Sequence, residues 1–435
     1  LAGARLARRK FTQIQSSSRK ATISRLTEGT AMNYRTLMRL LLVPTVSVFA
    51  ATGAIAEPLC GSSIGKATGE PIRLGGIAGK TGPTDFSAAT RGAAAYFACV
   101  NDHGGIAGRP IEYIAEDDQW SPEVSRREAT GLINDKKVLA FAGGFSLVGC
   151  AAYGDLLKDA GVVSVGMSAQ RECFTNPNIL SVNGGPRRGL VALASYAKNE
   201  LGAKLIALSL MRVPGYDWVE SGATEWGKAN GVKVISVPFD PQTADPTSFV
   251  LQLAQTKADA VLFAMPKNLA VAVLNAAEQQ DLAKTMKFVG DTASYSPEIP
   301  EALGPYWAGR FPVGLELGPT DAENADTKTW KAVMDKYTDT SVPRDTFSQA
   351  GYLSAKIVTE ALRKLDPKSI DRTSLARELL QTSGAADQML CTPFMVRNPK
   401  AAGHADVRGF WFLVNTGKEW KVAQDCKETL FVDEH

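Results

Sequence analysis

From Ile72 onward the chain alternates short apolar runs with longer stretches whose apolar residues recur at helical spacing. Ile72-Arg73-Leu74-Gly75-Gly76-Ile77-Ala78 is the first run, and Gly79-Lys80-Thr81-Gly82-Pro83 breaks it. Ala88 to Asn101 is alanine-rich, with Ala89, Ala93, Tyr96, Phe97 and Val100 at helical spacing. His103-Gly104-Gly105-Ile106-Ala107-Gly108-Arg109-Pro110 turns the chain back into a second run, Ile111 to Ala115, closed by Glu116-Asp117-Asp118. Two short strands joined by a helix and tight loops predict a right-handed βαβ unit and a parallel sheet.

The alternation continues. Ser121 and Pro122 stand at the expected start of a helix through Asn134. Strands are predicted at Val138–Ala142 and Val162–Val165, with Gly143-Gly144-Phe145-Ser146 and Gly166-Met167-Ser168-Ala169-Gln170 as the loops after them. Asn183-Gly184-Gly185-Pro186 has linker composition. A second series follows, with strands at Leu205–Leu210, Val232–Val237, Ala260–Ala264 and Phe288–Gly290, and a departing strand at Val313–Leu317. Helices over Ala325–Thr338, Phe347–Leu365 and Ser374–Gln381 precede β-like stretches at Phe394–Val396, Gly409–Asn415 and Trp420–Ala423. No solenoid period or low-complexity segment is present after the first 56 residues.

The N-terminus carries targeting signals. Met32-Asn33-Tyr34-Arg35 opens a positive region that also holds Arg39. Leu40 to Ala51 is apolar but too short for a membrane span, and Ala54-Ile55-Ala56 is a small-x-small cleavage signal before Glu57. The expectation is a signal peptide at 32–56, an upstream extension at 1–31 that precedes the native start, and a flexible Gly/Ser-rich tail at 57–70. Arg8-Arg9-Lys10-Phe11 lacks the apolar run that a twin-arginine signal needs. Glu57-Pro58-Leu59 lacks the small residue of a lipid-anchor signal before Cys60.

Removing the leader reverses the charge. The chain has 48 basic and 45 acidic residues, but residues 1–56 hold nine of the former and one of the latter. The remaining 379 residues carry 39 and 44, a net of −5, and nothing in them argues for nucleic acid. All six cysteines (Cys60, Cys99, Cys150, Cys173, Cys391, Cys426) follow the cleavage site, as disulfides in an exported chain would. Six cysteines allow 15 pairings. The predicted topology places Cys60 with Cys99 at one strand edge, Cys150 with Cys173 at the other, and Cys391 with Cys426 about the last strand pair.

Catalytic signals are weak. Gly75-Gly76-Ile77-Ala78-Gly79-Lys80-Thr81 misses the phosphate-loop spacing by one residue. Gly61-Ser62-Ser63-Ile64-Gly65 lacks the strand and helix of a nucleophile elbow. His103, His404 and His435 have no metal-ligand spacing and offer few general bases. A hydrolase using Ser62 or Ser146 therefore lacks a base. Glu116-Asp117-Asp118 reads as a polar strand end rather than a metal site. What remains is a binding site at the C-terminal strand edges, where loops and helix N-termini converge. Thr81 and Phe86 follow the first strand, Ser146 the third, and Ser168, Ala169 and Gln170 the fourth. A hydroxyl and free N–H groups at Ser146 suit an anionic oxygen.

These motifs together resemble the substrate-binding proteins of ABC importers, of the branched-chain amino acid type. The resemblance spans about Pro71 to Trp420. It is carried by Ile72-Arg73-Leu74-Gly75 with Thr81-Gly82-Pro83 and Gly92-Ala93-Ala94, by Val100 to Ile111 with its Gly-Gly-Ile-x-Gly-Arg turn, by Glu116-Asp117-Asp118-Gln119 and by Gly143-Gly144-Phe145-Ser146.

The resemblance implies a type I periplasmic-binding fold, α/β, with two Rossmann-like lobes on parallel central sheets. The lobes would be 71–185 with 320–390, and 186–319 with 391–435. Three crossing segments would hinge them, near Asn183–Arg188, Leu315–Thr320 and Leu390–Phe394. It implies that Ser146, Ala169 and Gln170 hold a ligand carboxylate from one lobe. Tyr216, Met265, Asp291 and Thr292 would complete the other. Amino-acid binders place an acidic residue near Thr292 and commonly an aromatic one at Met265, so the ligand stays open among amino acid, carboxylate and amide. It further implies an exported, non-enzymatic, monomeric protein without cofactor or metal that serves an ABC permease. The alternative is an extracellular ligand sensor of the same fold.

Overall fold

In the computed structural model of the chain, the described residues are 59–61, 65–211, 215–240, 245–396 and 408–428. The leader, Ser62, His404 and His435 lie outside them.

The first series builds β1 (Ile72–Ala78), α1 (Ala88–Asp102), β2 (Ile111–Asp117), α2 (Pro122–Asn134), β3 (Ala140–Gly144), α3 (Gly149–Asp159), β4 (Val163–Gly166), α4 (Arg171–Thr175) and β5 (Ile179–Ser181). The strands form one parallel sheet in the order β2-β1-β3-β4-β5. β1 is buried along almost its whole length, as a strand covered on both faces must be. The sequence pattern does not predict α4 and β5, which at five and three residues are too short for periodicity to mark.

The turn from α1 into β2 shows why its motif has that composition. The Asn101 side chain donates to the Ile111 carbonyl at 2.8 Å and accepts from the Ile111 N–H at 2.7 Å. Gly104, Gly105 and Gly108 between them all have positive φ, where a Cβ is unfavourable. Arg109 donates to the Glu70 carbonyl at 2.9 Å, and Ala67 donates to the Asn101 carbonyl. Residues 65–70 are thus bonded to this turn, and Cys60 is joined to Cys99 of α1. Composition alone reads this stretch as a loose tail because its partners are tertiary.

The second series builds α5 (Pro186–Asn199), β6 (Leu205–Leu210), α6 (Tyr216–Asn230), β7 (Lys233–Ser236), α7 (Pro246–Gln255), β8 (Ala260–Ala264), α8 (Lys267–Gln279), β9 (Lys287–Gly290), α9 (Ile299–Leu303) and β10 (Pro312–Leu315). Three helices follow, α10 (Ala325–Tyr337), α11 (Thr346–Lys364) and α12 (Arg372–Leu379), and then β11 (Gly409–Asn415) and β12 (Trp420–Glu428). The second sheet runs β12-β11-β10-β9-β8-β6-β7, with β11 antiparallel to β10 and β12 antiparallel to β11. Phe394–Val396 forms no strand; Phe394 makes an isolated pairing with Ala385. Cys150 pairs with Cys173 and Cys391 with Cys426, at Cα separations of 5.2 and 5.4 Å.

The chain therefore crosses between sheets three times. Asn183 to Pro186 leads into the second lobe, residues 316–320 lead back, and the chain, still packed in the first-lobe core at Phe394, has rejoined the second sheet at Gly409. The passages are laced together. Gly185 N–H donates to the Glu316 carboxylate at 3.1 Å, and Gly318 N–H donates to the Met389 carbonyl at 2.8 Å. The returning helix α11 packs on α1, β3 and β4 of the first lobe. Its contact with α1 is backbone to backbone: a side chain at Gly351 would strike the Ala89 carbonyl, and one at Gly92 the Ser348 carbonyl. Gly351→Val should lower stability by about 1–3 kcal/mol or more through this overpacking, read as a reduced urea midpoint.

Candidate functional site

The C-terminal edges of the two sheets face one cleft of about 570 Å³. The strand polarity puts every post-strand loop of the parallel series at this edge. From the first lobe come Phe86 after β1, Phe145 and Leu147 after β3, and Met167, Ser168 and Ala169 after β4. From the second come Met211 and Tyr216 after β6, Met265 after β8, and Asp291 and Thr292 after β9. Asn183, Pro186 and Glu316 belong to the crossing segments, and Phe347 to the first turn of α11.

One wall is aromatic. Phe86 meets Phe145 edge-on at 4.8 Å and Phe347 at 5.0 Å, and Phe145 lies 5.2 Å from Phe347. Trp120 stacks behind Phe86 at 5.6 Å. Such a wall offers a rigid apolar surface to a solute.

The opposite end is polar and acidic. Asp291 accepts from the Ser294 N–H at 3.3 Å and hydroxyl at 3.2 Å. Burial, reinforced by the neighbouring Glu316, pushes the Asp291 carboxyl up to about 7, with the Ser294 bonds opposing the shift. Burial also raises Glu316, against the N–H groups of Gly184 and Gly185, the Asn183 side chain and the Arg188 charge. Tyr216 is raised by burial and by both carboxylates, which places the three groups close together. Thr292 Oγ1 accepts from the Glu316 N–H at 3.2 Å, joining the two loops.

Seven of the ten residues expected from the sequence line the cleft: Phe86, Ser168, Ala169, Tyr216, Met265, Asp291 and Thr292. Thr81, Ser146 and Gln170 do not. Thr81 is exposed, and its N–H is held by Asp117 at 3.1 Å. Gln170 Oε1 accepts from the Ala151 N–H at 3.3 Å, at the start of α3. Ser146 is buried beneath the cleft; its hydroxyl donates to Asp118 and accepts from the N–H groups of Val148 and Gly149 at 3.1 and 2.8 Å. The Asp117 carboxylate accepts from the N–H groups of Lys80, Thr81 and Gln119. The acidic strand end thus organises loops. Among the described residues no group of three or more His, Cys, Asp or Glu is placed to hold a metal.

The sequence reading leaves out Glu316, Asn183 and Phe347. The first has a visible signal: it is the one charge in the apolar run Val313 to Leu317. Phe347 gives none, because an aromatic residue in the first turn of a helix reads as core.

Two sheets joined by three crossings, with a cleft lined from both, define a bilobal solute-binding protein of the type I periplasmic-binding fold. Residues 71–414 match the profile of the family described as periplasmic binding protein, and the chain belongs to that family of exported binding proteins. Among solved structures, a possible leucine/isoleucine/valine-binding protein from Rhodopirellula baltica superposes with a TM-score of 0.71 at 16% identity, covering 82% of this chain and 97% of its own. A branched-chain amino acid ABC transporter protein from Thermus thermophilus with bound valine gives 0.71 at 17% identity, with coverages of 84% and 98%. An R. palustris solute-binding protein in complex with 4-hydroxybenzoate gives 0.70 at 19% identity, with coverages of 82% and 97%. No curated protein matches the chain.

Two measurements test this geometry. Ser146→Ala should cost about 1–3 kcal/mol of stability, because it strips the buried Asp118 of a hydrogen bond, yet leave solute affinity within about twofold. Asp291→Asn should stabilise the empty protein at alkaline pH. The folded carboxyl titrates near 7 and the unfolded one near 4, so the native aspartate loses stability as pH rises between those values. The melting temperature of the variant should exceed that of the parent at about pH 8 and converge with it at about pH 4.

Proposed function

We propose that this chain captures a small polar solute with an apolar body between its lobes and delivers it to an ABC permease. The single observation that carries the reading is the cleft itself, one cavity walled by the C-terminal edges of two separate sheets. Only a solute touching both walls gains contacts when they approach, and that gain is what shifts a hinged protein to its closed state. The proposed lobes are 71–185 with 320–390, and 186–319 with 391–435. The proposed contacts are Phe86, Ser168 and Ala169 from the first, and Tyr216, Met265, Asp291 and Thr292 from the second.

Structural relatives with bound valine and 4-hydroxybenzoate support a solute of that size. No helix among the described residues is long and apolar enough to cross a membrane. A mobile carrier that works as a monomer and does no chemistry on its cargo fits these features.

A thermal-shift screen of amino acids, aromatic and aliphatic acids, amides and amines tests the proposal. A solute at about 100 times its Kd should stabilise the protein by about 2.7 kcal/mol. Small-angle scattering with that solute should show a smaller radius of gyration. Stabilisation without compaction would remove the closing mechanism.

A further inference from the structure

The cleft continues outward past the aromatic wall into a second compartment of about 870 Å³ that shares Phe86, Pro266, Thr292, Ala293 and Phe347 with the first. The charges along both are mostly of one sign. Asp291 and Glu316 line the inner end, and Asp85 and Asp345 the outer. Lys267 is the one cationic side chain among the described residues lining either compartment. Its ammonium is already paired with Glu298 at 2.6 Å and with the Ser296 hydroxyl at 3.3 Å.

Two of the first-lobe groups suited to an anionic solute, the Ser146 hydroxyl and the Ser168 N–H, are also engaged, while the Ser168 hydroxyl keeps its own hydrogen. The Ser146 hydroxyl is bonded to Asp118, Val148 and Gly149. The Ser168 N–H donates to Asn183 at 2.9 Å, and its hydroxyl accepts from Ser181 at 2.6 Å. Between the acidic ends the walls are apolar, formed by the three phenyl rings with Met167 and Met265.

Taking the cleft as the solute site, we propose that its solute is a protonated amine with an aromatic or branched aliphatic body. The ammonium lies between Asp291 and Glu316, and the body lies against Phe86, Phe145 and Phe347. An ammonium gives Asp291 a charged donor beside the Ser294 groups, and its charge relieves the repulsion between Asp291 and Glu316. A carboxylate in the same place would add a third negative charge. A neutral solute would bring no charge to offset the two carboxylates.

The pH dependence follows. Asp291 is faced by Glu316 from the end of β10, by Tyr216 from α6 and by Ser294 from its own loop. Arg188 acts on Glu316. As pH rises through the range where Asp291 ionises, about 7, the site gains negative charge while an alkylamine stays protonated. Amine affinity therefore increases with pH, and carboxylate affinity decreases.

The test is calorimetric titration of the protein with matched probes. One set is 3-phenylpropylamine, 3-phenylpropanoate and 3-phenylpropanamide; another is 3-methylbutylamine and 4-methylpentanoate; leucine and phenylalanine complete the panel. An amine should bind at least about tenfold tighter than its matched acid or amide, and tighter than either amino acid. Its affinity should rise about threefold or more between about pH 6 and about pH 8.5. Asp291→Asn should lower amine affinity about tenfold or more and flatten the pH profile, while its melting temperature at about pH 8 stays at or above the parent's. Tighter binding of an acid, amide or amino acid would overturn the inference and leave the solute-binding reading standing. Binding by no member of the panel would count against both.

Discussion

The hydrogen bond from the Gly185 N–H to the Glu316 carboxylate joins the first and second crossing segments at the point where the cleft begins. The same carboxylate borders the cavity, and its own N–H is held by Thr292 of the facing loop. Hinge and cavity are therefore one network. A charge placed beside Glu316 acts directly on a residue of the second crossing segment, with no intermediate needed to carry the effect. Gln349 extends the network, donating to the Gly318 carbonyl from α11 at 3.2 Å. The first lobe thus touches its own return crossing.

Around this node the fold separates two tasks. Backbone polar groups at the strand ends are satisfied within each lobe: Asp117 gathers the loop after β1, Asp118 and Ser146 the loop after β3, and Asn183 the loop after β4. The lining of the cavity is mostly apolar on both lobes, and its two acidic side chains, Asp291 and Glu316, come from the second lobe and the crossing that leaves it. The loops are thereby rigid before a solute arrives, and little ordering cost remains to oppose binding. Asp291 is the exception. It is only lightly partnered and held partly neutral by its surroundings, so the empty cavity stores an unfavourable burial that a suitable partner would release.

Much of this was legible in the sequence, for reasons that differ by residue. The bounds of β1, β6 and α2 follow directly from apolar periodicity, a serine cap and Pro122. The Asn101 turn could be read because its glycines and the Asn101–Ile111 bonds act within one short stretch. Asp291 and Thr292 could be placed because a loop after a parallel strand has only one edge on which to lie. Ser146 occupied the right edge but with its hydroxyl already taken by Asp118, a partner 28 residues distant that no local pattern reveals. Phe347 and Glu316 reach the cavity only because the chain crosses back, so their roles depend on topology rather than on neighbours in sequence.

The return of the chain also sets an order of assembly. The first sheet is made first, yet the helix that covers it, Thr346–Lys364, follows the whole second series. Until that helix is synthesised, the face of α1 that carries Ala89 and Gly92 lacks the backbone it packs against. The second sheet waits as well, since β11 inserts between β10 and β12 only near the end of the chain. Each lobe completes its core only with residues that follow Thr346. A nascent chain of this topology stays open over most of its length, the condition in which a polypeptide can still be threaded across a membrane before it folds.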